Sequence, residues 1–224
     1  MYIELHASSA FSFLDGASLP ETLVERAAEL GYPALALLDR NGIYGAPRFH
    51  KAAVAAGIKP IVGSDLAIGL SRIDSTSLAS PHMPLSWQFS VLVETQEGYR
   101  NLCRFVTRMK LNAPKGEGVL TFEELEGHAT GLVALVGRSI LMGCHSGGRD
   151  LLDRFVGVFG RKNVYLELQR HLLRDEEHYN QALLEMASTY NVPVVVTNGV
   201  KFAKVSDRPL YDAITCIRHK TTLV

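Results

Sequence analysis

Cysteine is scarce in this 224-residue chain, and neither sign of charge is in excess. Cys103, Cys144 and Cys216 are odd in number and far apart, which excludes a disulfide framework and a CxxC zinc site and fits a reducing compartment. Lys plus Arg and Asp plus Glu both number 23, for a formal net charge of +0. No global field therefore draws the chain to nucleic acid or to a membrane, and any DNA contact is local or belongs to another domain. No apolar run approaches the ~18 residues of a membrane-spanning helix. Met1 leads straight into a strand without a basic n-region and apolar h-region. These absences predict a cytoplasmic protein with no membrane partner.

What is present is apolar and rhythmic. Hydrophobic residues make up 47% of the chain, enough for one core, so residues 1–224 are expected to form a single domain. Strands are predicted over 2–5, 34–38 and 58–62. Between them lie a helix that opens with a capping box at Ser18-Leu19-Pro20-Glu21 and stops at Gly31, and an alanine-rich helix over 45–56. Residues 71–87 read as a loop and 112–120 as a turn-rich linker. Further strands are predicted over 89–93, 132–136, 164–168 and 192–196, the last as a buried strand. Helices are predicted over 98–110, from Thr121, and over 148–158, 175–190 and 206–218. This alternation predicts an α/β fold with a parallel sheet, most economically a closed or nearly closed barrel of about seven units.

The first three strands run into polar residues of a kind that can ligate metal: His6 and the loop to Asp15, Asp39-Arg40-Asn41-Gly42, and Gly63-Ser64-Asp65. Four separated blocks then coincide in order. They are YIELHASSAFSFLDGAS, ALALLDRNGIYGAPRFHKAAVAAGIKPIVGSDLAI, ETQEGYRNLCRFVTR, and ELQRH with the later VPVVVTNGVKF. Together they resemble the amino-terminal PHP domain of the bacterial C-family DNA polymerase III alpha chain, most closely its error-prone paralogue. The resemblance implies a distorted (β/α)7 barrel of seven strands. It also implies that the chain is the N-terminal fragment of a longer polymerase, with the catalytic carboxylates and their magnesium in a palm domain downstream.

An intact PHP site resembles a tri-metal phosphoesterase centre of His and carboxylate ligands, a donor set suited to zinc or manganese. Aligned with that pattern, His6, Asp15, Asp65 and His171 remain as metal-ligand candidates. The family's His-x-His reads His6-Ala7-Ser8, and its Asp-His-Asn-Gly reads Asp39-Arg40-Asn41-Gly42. A frequent cysteine aligns with Arg138, and Asn-Asp-Val-His reads Asn198-Gly199-Val200-Lys201. Ser8, Arg40, Arg138, Gly199 and Lys201 thus stand at degenerate ligand positions. The cations Arg40, Arg138 and Lys201 oppose metal by charge as well as by absence. The expectation is that they pair with Asp15, Asp39 and Asp65, turning a metal-centred cavity into a salt-bridged plug.

The bland readings stand beside these. His6 and His171 also read as hydrogen-bonded residual histidines, and the three aspartates as turn or cap residues. Arg100, Arg104 and Arg108 recur at helical spacing and read as a solvated face, with phosphate or a neighbouring domain as the alternative. His128 and the remaining histidines show no ligand spacing. The function implied is a structural module packed on the polymerase body, non-catalytic by itself and without a cofactor of its own. It would meet DNA through the parent enzyme in replication and damage-tolerant synthesis. The alternative is a residual metal-dependent phosphoesterase, acting as a 3′ to 5′ exonuclease or on a small phosphate ester in the manner of a histidinol phosphatase, with zinc or manganese bound.

Overall fold

The structure, a computed structural model, describes residues 2–69, 86–111, 113–114, 118–141 and 148–223. The expected loop over 71–87 falls mostly outside them, as do much of the 112–120 linker, His82, Cys144 and His145. The described elements, in chain order, are β1 (Glu4–Ala7), α1 (Pro20–Glu29), β2 (Ala34–Arg40), α2 (Ala46–Ala55), β3 (Lys59–Gly69), β4 (Ser86–Val93), α3 (Gln96–Leu111), α4 (Phe122–Leu125), β5 (Leu132–Val136), α5 (Arg149–Phe159), β6 (Val164–Leu168), α6 (Glu176–Tyr190), β7 (Val194–Val196) and α7 (Arg208–His219). The fold is α/β, and the strands form one seven-stranded sheet in sequence order, β1 to β7. The chain divides into two compact units, residues 1–64 with 197–224 and residues 65–196.

In the first unit, β2 is buried at every residue except Arg40, as an interior parallel strand requires. It pairs in parallel with β1, Glu4 opposite Leu35. Leu23, Val24 and Ala27 of α1, Leu35 and Leu37 of β2, and Phe49 and Ala53 of α2 close one apolar cluster with Ala7 and Ile58. Each large side chain there contributes roughly 1.5–3 kcal/mol by leaving water. Residues 197–224 return to this cluster. Ser8 N donates to Val200 O and Val200 N to His6 O, both at 2.8 Å, and Ala17 N donates to Lys201 O at 2.8 Å.

One helix start differs from the expectation. Pro20 occupies the first turn of α1, so the N-cap is Leu19, which has no side-chain cap bond. Ser18 lies one position too early to cap. Its hydroxyl instead accepts from Ala203 N at 2.9 Å and donates to Asp207 Oδ2 at 3.2 Å.

In the second unit β5, β6 and β7 run parallel, but β4 and β5 pair antiparallel, with Val93 opposite Leu132. The βαβ rhythm predicted a parallel sheet throughout. The reversal follows from the 94–131 excursion closing on itself, since Glu94 N donates to Gly131 O at 2.9 Å. The chain therefore re-enters the sheet at the end it left. Phe89, Phe122, Phe155 and Phe159 stack at centroid distances of 4.9 to 6.3 Å and anchor α4 and α5 to β4. β7, expected to be buried, exposes Val194 and Val196. It is the last strand in the sheet order, with β6 as its neighbour.

Candidate site at the strand ends

The end of β2 is held by hydroxyl groups. Asp39 is buried, and its Oδ1 accepts from Ser9 N at 2.8 Å, Ser9 Oγ at 2.9 Å and Ser12 Oγ at 2.9 Å. Ser12 Oγ in turn accepts from Arg40 N at 3.0 Å, and Ser64 Oγ donates to Asp39 O at 2.8 Å. The Asp39 carboxylate is thus held by serines of the β1 loop, Ser9 and Ser12. Room for its carboxylate comes from Gly45, where a Cβ would sit 2.5 Å from Asp39 Oδ2. Asn41 supplies the left-handed residue of the Asn-Gly turn, at φ 51°.

Asp15, Lys201 and Ser8 meet in the same unit. Lys201 Nζ donates to Asp15 Oδ2 at 2.9 Å and to Ser8 Oγ at 3.2 Å, while Ser8 Oγ donates to Leu38 O at 3.0 Å. The other carboxylate oxygen of Asp15 accepts from the guanidinium of Arg218 on α7. Burial pushes the Asp15 carboxyl up, but the two cations outweigh it and hold the group below the usual aspartate range. Gly199, where the family pattern has a carboxylate, takes φ 58° and turns the chain between Asn198 and Val200. Arg40 is exposed.

His6 lies on β1 two residues after Glu4, where the register against β2 shifts between Glu4 and Ala7, and both side chains are buried. Glu4 is buried and accepts from Tyr2 Oη at 2.8 Å, His6 N at 2.8 Å and Asn198 N at 3.1 Å. Burial raises its carboxyl above the usual range against the pull of these bonds. Sequence reasoning missed Glu4 and Arg218. The available signal for Glu4 was a lone acid inside an apolar strand two residues before His6. No local pattern marks Arg218.

In the second unit, Asp65 accepts from Ser90 Oγ at 3.1 Å. Arg138 opens a 3₁₀ turn, Arg138–Leu141, and is exposed. His171 is bound to Glu176 at the start of α6. Its backbone N lies 2.5 Å from Glu176 Oε2, and its Nδ1 lies 3.2 Å from Oε1. Burial acts first on Glu176, raising its pKa, yet the bonds from His171 and Leu173 leave it below its ordinary value. Glu167 of β6 is also buried, and Gln169 Nε2 lies 3.4 Å from its Oε1. Among the described residues no three His, Cys, Asp or Glu side chains converge as a metal-ligand set.

The PHP domain family matches residues 4–171. Proteins named error-prone DNA polymerase from Mycolicibacterium paratuberculosis and Anaeromyxobacter sp. are each 38% identical to this chain over 99% of its length. The chain spans only 21% and 19% of those relatives. Among solved structures, a putative metal-dependent phosphoesterase from Bifidobacterium adolescentis superposes with a TM-score of 0.56 at 15% identity, covering 89% of this chain and 87% of that one. An amidohydrolase from Chromobacterium violaceum gives 0.58 at 16%, covering 92% and 89%. At such identities these two show a shared fold alone. The match over residues 4–171 goes further: this chain belongs to the PHP domain family.

Proposed function

We propose that this chain is the PHP module of a longer error-prone DNA polymerase and serves there as a scaffold packed against the polymerase body, not as a hydrolase. DNA contact and magnesium-dependent nucleotidyl transfer then belong to parts of the parent outside these 224 residues. The naming of the relatives and the small share of each that the chain covers support the first half of this reading.

The observation that carries the second half is the ammonium of Lys201 seated on Asp15 and Ser8, with Arg218 on the other carboxylate oxygen. A divalent ion needs unprotonated donors in number. Here the one carboxylate of the loop is spent on two cations, and the neighbouring position offers a hydroxyl already bonded to Lys201 and Leu38 O. These residues do not fit a metal cluster. His6, Asp65 and His171 remain as donors, but His171 is committed to Glu176.

Metal analysis of the protein purified after incubation with zinc and manganese, paired with nuclease and phosphatase assays, tests the reading. Less than one tightly held ion per chain and no hydrolysis are expected. Two or more ions per chain with hydrolysis would establish the phosphoesterase instead. Changing Ser8, Arg40, Gly199 and Lys201 to His, His, Asp and His is expected to bring metal uptake. The Asp at 199 takes a left-handed backbone at a cost of about 1 kcal/mol. A folded variant that binds no metal would show these positions to be misaligned with the family's ligands.

A further inference from the structure

The basic stripe on α3 gains a partner that its spacing did not announce. Arg104 Nη1 lies 3.1 Å from Nδ1 of His128, and Arg108 Nη2 lies 3.3 Å from Nε2 of the same ring. A guanidinium donates and never accepts, and a neutral imidazole accepts through only one nitrogen. Whichever tautomer is present, one of the two contacts sets an N–H against an N–H. Protonating the ring makes both contacts donor against donor and adds a third positive charge.

Among the described residues, the other hydrogen-bond partners of the two arginines do not resolve this conflict. Arg104 also donates to Asn101 Oδ1 at 2.9 Å, and Arg108 to Glu124 O at 3.2 Å. These are neutral acceptors. The Glu124 carboxylate accepts from Thr121 N at 2.9 Å. Glu97 stands almost two turns away from Arg104 on α3. Among the described residues neither Arg104 nor Arg108 pairs with a carboxylate, and their acceptors are the neutral groups just named. Arg104 is exposed, and Arg108 and His128 are half-buried, so the cluster is open to a ligand.

We infer that Arg104, Arg108 and His128 form an oxyanion site that takes a phosphate group. A phosphate oxygen lodged between the two guanidinium groups accepts the hydrogen now opposed by the ring N–H and matches the planar donor fork of arginine. The phosphate is either free or part of a nucleic-acid backbone. The chemistry is the same, and none of the three residues is among those argued to replace metal ligands.

The test follows the His128 ring signals by NMR in the 224-residue chain, identified by their loss in His128→Gln, during titration with sodium phosphate or with sodium chloride at equal ionic strength. A saturable shift with phosphate alone is expected. Arg104→Gln and Arg108→Gln should each weaken it about tenfold, the worth of one charge-assisted bond. Arg108→Lys, which keeps the charge but not the fork, should weaken it by less, and Lys162→Gln on another part of the unit should leave it unchanged. Fluorescence anisotropy with a labelled single-stranded oligonucleotide distinguishes the sources. Binding that is lost with the same arginines assigns the site to nucleic acid, and phosphate response without oligonucleotide binding assigns it to a free phosphate. Equal shifts with chloride, losses in Lys162→Gln matching those in the arginine variants, or no saturable shift would overturn the inference. If an arginine variant fails to fold, the comparison of phosphate with chloride in the unaltered protein still decides.

Discussion

Asp15 is half-buried and Glu4 buried in the same unit, and their surroundings move the two carboxyls in opposite directions. Asp15 sits against two cations and titrates below the ordinary aspartate value of 3.8. Its folded pKa lies below its unfolded one, so its stabilisation is complete above the unfolded value and is lost as pH falls through the folded one. Asp15→Asn, which leaves Lys201 and Arg218 without a counter-charge, is expected to cost about 2 kcal/mol at neutral pH, between the worth of a surface pair and that of a fully buried one. The difference between the two proteins in urea melts should then shrink below pH 3.8. Glu4 carries the reverse sign, because a raised carboxyl loses stability as pH climbs through its window. At Gly45, an added methyl would meet the Asp39 carboxylate at 2.5 Å. Gly45→Ala is expected to destabilise the protein by about 1–3 kcal/mol, read as a fall in the urea midpoint.

Elements buried on both faces were the ones legible in the sequence. The strands over 132–136 and 164–168 match β5 and β6 residue for residue: the first is an uninterrupted apolar run, and the second keeps apolar residues at 164, 166 and 168 around Glu167. β3 runs seven residues further than expected because Ser64 and Asp65 break the apolar run without breaking the ladder. β1 begins later than the run 2–5, at Glu4, an acid that its backbone and Tyr2 partners make tolerable in a strand interior. The same limit applies to the site. The loop aspartate and the lysine were visible as types, whereas the serine cradle of Asp39 and the reach of Arg218 depend on contacts distant in sequence. Ser18 shows how one residue of offset redirects a side chain. Ser18→Ala is expected to cost about 1 kcal/mol. Amide exchange should rise over residues 203–207, and α1 should not fray.

For the whole molecule, the division into units sets how damage spreads. Phe155 joins α5 to β4 and α4 within residues 65–196. Phe155→Ala is expected to cost about 3–5 kcal/mol. Hydrogen exchange followed by mass spectrometry should show the loss concentrated in residues 65–196, while Asp15→Asn loosens residues 1–64 and 197–224 first. Equal deprotection everywhere in both variants would mean that the units open only together.

The first unit is assembled from the two ends of the chain, with β1 bonded to Val200 and Asp15 to Lys201 and Arg218. On a ribosome adding roughly ten residues per second, β1 waits on the order of ten seconds for the 197–201 segment that completes this unit. Throughout that interval β1 can pair with β2, but His6 O lacks its bond from Val200 and Asp15 lacks its two cations. The nascent chain is therefore open to chaperone capture around β1 and the Asp15 loop, and a pause in translation before residue 197 prolongs that exposure.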